Sequence, residues 1–312
     1  MTLSLVLNQG DASESRIYYC AHYLAESLGL FAKHGLKVIF TTAGSGGKTV
    51  QGGQVPAVIA GEADLTLGGP MVMMKNYQEN GPALLCFAAA VSANPWFLAA
   101  GKADSNFTLS SLRGKRVIDV GNVGTATLSF NWLLRQHQLE KEVELIAGSG
   151  DEAADFAAVS RGEAEYALHS MHALAPGIAR GELYAIASLA PLCGAVPWSA
   201  YIARRDVMAE KKAAFSAFTA ALSEAQQWLQ ANSAGALASQ VEPWYPDYPS
   251  AALVTGLDAY LKANVFAPSP LMRREDFDRF AVLLTEAGWL TPAIPVPFAA
   301  LVERSFAAGV KP

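Results

Sequence analysis

A chain of 312 residues, 52% apolar and 16% charged, is long enough to bury one or two sizeable cores. Its net charge of −5, with lysines and arginines scattered, leaves no electrostatic footprint for nucleic acid, and no apolar run is long enough to predict a membrane-spanning helix. Cys20, Cys86 and Cys193 stand far apart without CxxC spacing, which argues against a disulfide framework or a structural zinc.

In chain order, "LSLVLN" from Leu3 predicts a first strand. Ile17, Cys20, Leu24 and Leu28 then recur at helical spacing, with Asp11, Ser13 and Ser15 as possible caps and Gly35 as the stop. Next come a strand "LKVIFTTA", a Gly-rich turn "GSGGKT", a helix near 55–59, a strand "ADLTLGG" and a buried strand "ALLCFAAA". The pattern restarts at Trp96 with "WFLAAG" and "RGKRVIDVG", a helix from about Thr125, then "VELIAG", "AEYALHS" and "YAIASLA". Such alternation predicts an α/β fold, with parallel sheets covered by helices. From Asp206 the chain is mostly helical: Phe215, Phe218, Leu222, Ala225 and Leu229 share one face, and Phe277, Phe280 and Leu284 another. Between these helices, "EPWYPDYPS" reads as a packed aromatic loop.

The chain also repeats itself. Gly61-Glu62-Ala63-Asp64 returns as Gly162-Glu163-Ala164-Glu165, and Asn94-Pro95-Trp96-Phe97 has a counterpart in Val196-Pro197-Trp198-Ser199, at nearly the same offset. Two similar half-structures are expected.

The segments "YLAESLGLFAKHGLKVIF", "AGEADLTLGGP", "LRGKRVIDVGNVGTAT" and "SRGEAEYALHSMH" resemble the SsuA/THI5-like (NMT1) family of periplasmic solute-binding proteins of ABC transporters. Its members serve nitrate, sulfonates, taurine and thiamine pyrimidine precursors. The resemblance covers residues 3 to 235 and rests on order and spacing more than on one motif. It implies a type II periplasmic-binding-protein fold, with two α/β lobes joined by two crossovers and a ligand cleft between them. The first lobe would comprise 1–95 plus 200–312 and the second 96–199, with crossovers near Pro95 and Pro197. The resemblance also implies the partners, a small solute and an ABC permease, with the protein itself a monomer that needs no cofactor or metal.

Ligands of open parallel sheets sit beyond the carboxyl ends of the strands. That places candidate residues in five loops: Gln9 and Gly10 with Tyr18 nearby; Ser45 and Lys48; Gly68 and Gly69; Asn122, Gly124, Thr125 and Thr127; and His169 and Ser170. In "DVGNVGTATLS", Gly121 and Gly124 would let backbone approach a ligand, and the threonine hydroxyls at a helix start suit a sulfonate, carboxylate or phosphate. "GSGGKT" resembles the end of a Walker A motif but has Thr42 where the first Gly is required, so nucleotide hydrolysis is not expected. Trp96 and Trp198, beside the implied hinges, could stack on a planar ligand or fill the neck. Of Tyr18, Tyr19 and Tyr23, at most two can face one side of a helix. His169 and His172 lack a third ligand for a metal, and His22 forms no obvious dyad.

The functional expectation is therefore a non-catalytic receptor that closes its lobes on a small organic anion, such as a sulfonate or taurine-like compound. The alternatives are a receptor for a thiamine pyrimidine precursor, or a cytoplasmic enzyme on the same fold, desulfinase-like or pyrimidine-synthase-like. Cys20 is displaced from the place of a desulfinase-like nucleophile, which weighs against the enzyme. The opening "MTLSLVLNQG" has no basic region, long apolar run or cleavage site. The expectation is a periplasmic protein if the chain is mature or trimmed, and a cytoplasmic one if it is complete.

Overall fold

A computed structural model of the chain describes residues 3–9, 16–42, 55–121 and 123–308. It contains two five-stranded sheets. In chain order the first unit begins β1 (Leu3–Asn8), α1 (Ala21–Ser27), α2 (Leu30–Lys33), β2 (Leu36–Thr41), α3 (Val55–Ala60), β3 (Leu65–Gly68), α4 (Pro70–Gln78) and β4 (Leu84–Val91). The second unit follows with β5 (Trp96–Ala100), β6 (Arg116–Asp119), α5 (Gly124–Gln136), β7 (Glu144–Ala147), α6 (Glu152–Ser160), β8 (Tyr166–Ser170), α7 (Met171–Ala179), β9 (Tyr184–Ser188) and α8 (Ala190–Cys193). The chain then rejoins the first unit through β10 (Ser199–Arg204), α9 (Arg205–Glu210), α10 (Lys212–Ala231) and α11 (Ala234–Val241). After α12 (Ser250–Lys262), it ends with α13 (Arg274–Glu286), α14 (Phe298–Leu301) and α15 (Ser305–Ala308).

The two sheets share one plan. The first has the order β2-β1-β3-β10-β4 and the second β7-β6-β8-β5-β9. In each, three parallel strands are followed by one antiparallel strand, β10 or β5, which the chain inserts on arriving from the other unit. Helix α10 shows why the first core forms. Phe215, Phe218, Leu222, Ala225 and Leu229 are all buried, and Phe218 stacks on Phe31 at 5.3 Å and meets Tyr201 edge-on at 5.1 Å.

Two local expectations need revision. The segment from Ile17 to Leu28 is not one helix: a 3-10 turn at Ile17–Tyr19 precedes α1, and Cys20 joins them. The residues of 200–312 are not all in the first unit, since Tyr245–Val265 packs within the second. The reason is the buried face of α12, whose Tyr260 lies edge-on to Phe97 at 5.9 Å and whose hydroxyl accepts the His172 N–H at 3.3 Å. In the aromatic loop before it, Tyr248 stacks on His172 at 4.7 Å.

The repeated Gly-acidic motif performs the same task twice. Gly61 and Gly162 take φ of +77° and +79°, the left-handed conformation that ends a helix and that only glycine adopts without strain. The next amides cap the helix, with Glu62 N–H donating to Ala57 O and Glu163 N–H to Ala158 O, each at 2.9 Å. The final acid of each copy then clasps the neighbouring strand. Asp64 donates its N–H to Val6 O while its carboxylate accepts the Val6 N–H at 2.8 Å; Glu165 does likewise with Arg116, accepting its N–H at 2.9 Å.

His22, which the sequence leaves without a partner, is buried at 1% exposure, and its Nδ1 lies 3.1 Å from the Tyr201 hydroxyl. Its Nε2 has no hydrogen-bond partner among the described residues, and burial pushes the imidazole down from 6.5 to about 3.

Replacing Asp64 with Ala removes a part-buried acceptor from Val6 and is expected to cost about 1–3 kcal/mol in urea unfolding. Glu163→Ala, which breaks only an exposed pair with Arg161, should leave the midpoint where it is. The His22 ring stays neutral in the folded protein while the unfolded chain takes up a proton, so stability falls as pH drops from 6.5 towards about 3. The limiting slope is about 1.4 kcal/mol per pH unit, and thermal melts of His22→Phe over that range should be measurably flatter than those of the wild type.

Candidate functional site

The carboxyl edge of the second sheet gathers the most side-chain chemistry. Strands β6, β7 and β8 run parallel and so end together, while antiparallel β5 begins there, with Trp96 opposite Ser170. From this edge project Trp96, Asp119, the start of α5, the first turn of α6, and the His169-Ser170 pair ahead of α7.

His169 is the centre of the group and is 1% exposed. Its ring lies 5.6 Å from Trp96 and 6.1 Å from Phe156 between centroids. The Ser170 N–H donates to Nδ1 at 2.7 Å, so in the neutral ring the proton resides on Nε2. That nitrogen lies 3.4 Å from Glu152 Oε1. A Cβ at residue 121 would sit 2.8 Å from the same nitrogen. Gly121 is thus small because the His169 ring occupies its space, which corrects the expectation that it clears room for a ligand.

Gly124 differs. It is exposed at the first turn of α5, and among the described residues nothing lies within 4 Å of where its Cβ would be. No side chain caps this helix from Val123. Thr125 is half-buried beside it. Thr127 is a correction: its hydroxyl donates inward, to the Asp119 carboxylate with Val123 O nearby, so its proton is committed within the protein. Asp119, at 2% exposure, is held in turn at the end of β6.

In the first unit the predicted residues are more dispersed. Gln9 comes after β1, donates its N–H to Thr41 O and accepts the Tyr23 hydroxyl at 2.7 Å. Tyr18 is buried in the 3-10 turn, edge-on to Tyr19 at 4.5 Å. Gly68 ends β3 opposite Ala200, and a Cβ on Gly69 would meet Trp198 O at an ordinary 3.5 Å. Trp198 is buried, with its ring 6.3 Å from that of Phe280. Gly10, Ser45, Lys48 and Asn122 lie outside the described residues. Sequence reasoning misses Asp119, Glu152 and Phe156 at the second edge, and Phe40 and Trp244, which pack with Tyr23 in the first unit. Asp119 and Glu152 had a signal: each stands at or just after the carboxyl end of a predicted strand.

The thiols offer no nucleophile at neutral pH. Burial pushes Cys20 and Cys86 up to about 12 and Cys193 to about 11, the last softened by the Asn94 side-chain amide at 3.4 Å. Among the described residues no group of three or more His, Cys, Asp or Glu could hold a metal ion, and no helix is long and apolar enough to cross a membrane.

A family model described as NMT1/THI5 like matches residues 17–236. YtlA of Bacillus subtilis (strain 168) is 23% identical over 286 residues, spanning 89% of this chain and 83% of YtlA. The periplasmic aliphatic sulphonate binding protein SsuA from Escherichia coli superposes with a TM-score of 0.68 at 16% identity, over 95% of this chain and 94% of that one. The desulfurization enzyme DSZB superposes with a TM-score of 0.61 at 14% identity, over 98% of each chain. These structural likenesses show the fold, which is that of type II periplasmic binding proteins.

All three cysteines should stay silent to a thiol reagent such as Ellman's in the native protein at pH 7 and react fully in denaturant. A fast-reacting native thiol would contradict their burial.

Proposed function

The chain belongs to the NMT1/THI5-like family, and from that premise we propose that it is a solute-binding protein, delivering a small organic anion of the sulfonate or taurine type to an ABC importer. The observation that carries this reading is the convergence of Trp96, the start of α5 and His169-Ser170 on one sheet edge. There the first amides of α5 supply donors for an acid group, and Trp96 supplies an apolar wall. The partner is the importer's permease, and the site of action is the periplasm. The likeness to SsuA, a periplasmic sulphonate binder, supports both.

A desulfinase-like enzyme on this fold would need an activated thiol, and the burial of all three cysteines speaks against one.

Thermal-shift assays across alkyl and aryl sulfonates, nitrate and aminopyrimidines test the reading. A true ligand at about 100 times its Kd should stabilise the protein by about 2.7 kcal/mol and be recovered unchanged. Gly124→Val should keep a melting temperature close to that of the wild type, since a Cβ at this exposed position has no atom of the described residues within 4 Å, and lose that stabilisation. A ligand consumed in the assay, with loss of turnover in Cys20→Ser, would overturn the receptor in favour of an enzyme.

A further inference from the structure

Helix α7 begins with a defect that is repaired from a distance. Pro176 has no N–H, so the His172 carbonyl one turn earlier lacks the donor that an α-helix would give it. The His172 N–H lies in the first turn, where the helix offers no acceptor. Two tyrosines of the segment Tyr245–Val265 meet both needs. The Tyr248 hydroxyl donates to His172 O at 2.5 Å, with its ring stacked on the imidazole. The buried Tyr260 hydroxyl accepts the His172 N–H and also hydrogen-bonds the Ser170 side chain. The turn that carries His169 and Ser170 is thus braced by a segment remote in sequence.

That segment leaves the first unit through one short link. Trp244, the last first-unit residue before it, stacks on Tyr23 at 4.7 Å, and its indole N–H donates to Ser27 Oγ at 3.0 Å. Tyr23 in turn donates its hydroxyl to Gln9, just past β1. Only Tyr245, Pro246 and Asp247 separate Trp244 from Tyr248. They form no slack linker: the Tyr248 N–H donates to Tyr245 O at 3.0 Å, closing a β-turn with proline at its second position, and Tyr245 is buried. A closed turn with a fixed proline φ passes on a displacement that a flexible linker would absorb.

We propose that residues 244–248 are a coupling strap, through which order at Gln9 and Tyr23 on the first sheet's carboxyl edge and order at Ser170 and His172 on the second depend on each other. By linkage, whatever steadies one edge steadies the other. The strap acts in this way with or without a solute bound.

Hydrogen exchange read by mass spectrometry on the solute-free protein tests the strap. Trp244→Leu breaks the first-unit anchor and Tyr248→Phe removes the hydroxyl from His172; melting temperatures are taken first, and the milder Tyr248→Phe keeps the test decisive should Trp244→Leu fail to fold. Trp244→Leu should speed exchange about fivefold or more in peptides covering 168–174, and Tyr248→Phe should do the same for 17–24, a change on the scale of one hydrogen bond. The double variant should exceed neither single by more than about twofold, because both cut one series of links. With Pro246→Gly and two glycines inserted after Asp247, both anchors remain while the link is slack, and Trp244→Leu should no longer reach 168–174. The strap is overturned by unchanged exchange at 168–174 in Trp244→Leu or at 17–24 in Tyr248→Phe, or by an effect that survives in the slack-linked protein. A rise spread equally over β6 and β7, the mark of general destabilisation, overturns it as well.

Discussion

The Glu165 carboxylate closes a two-point clasp on Arg116, accepting its N–H while Glu165 N–H donates to Arg116 O. This fixes the start of β8 against the start of β6, and the ladder then runs Val117 to Tyr166, Ile118 to Ala167 and Asp119 to Leu168. The next residue along is His169, which therefore arrives beside Gly121. A slip of one residue would turn the imidazole to the other face of the sheet. The position of Glu152, Trp96 and the α5 start around His169 has meaning only in that register.

The same clasp in the first unit joins Asp64 to Val6, and there the strand ends in Gly68-Gly69 with no side chain to aim. The repeated motif is accordingly scaffold: a left-handed glycine to stop a helix, an acid to set a strand. The two units differ in the residues just past the end of that strand. One copy presents bare backbone ahead of α4; the other presents an imidazole whose tautomer is set by the Ser170 amide. The two copies thus share a frame and differ in the side chains that follow it.

The second edge also differs from the first in charge. A glycine-threonine helix start taken alone suggests an anion site, because short polar residues and unpaired amides are its usual ingredients. The structure adds carboxylates from two neighbouring elements, which a one-dimensional reading of the loop does not see together. Asp119 and Glu152 lie far apart in the chain and meet at one edge only because β6 and β7 are parallel neighbours.

Much of the fold was legible because its physical causes are local. Alternating short apolar runs and amphipathic helices, glycines at helix stops and the repeated acidic turn are written in residue order, and they suffice for two similar α/β units and their parallel strands. The α10 face is an example, since its buried residues recur at helical spacing. Tertiary structure alone decided the rest. Whether Gly121 serves a ligand or a ring, whether the Thr127 proton points out or towards Asp119, and that Tyr245–Val265 belongs with the second unit all depend on residues brought together by folding. Periodicity tells which face of an element is buried, but not what lies against it, and the identity of that neighbour is what turns a side chain into a ligand contact, a spacer or a brace.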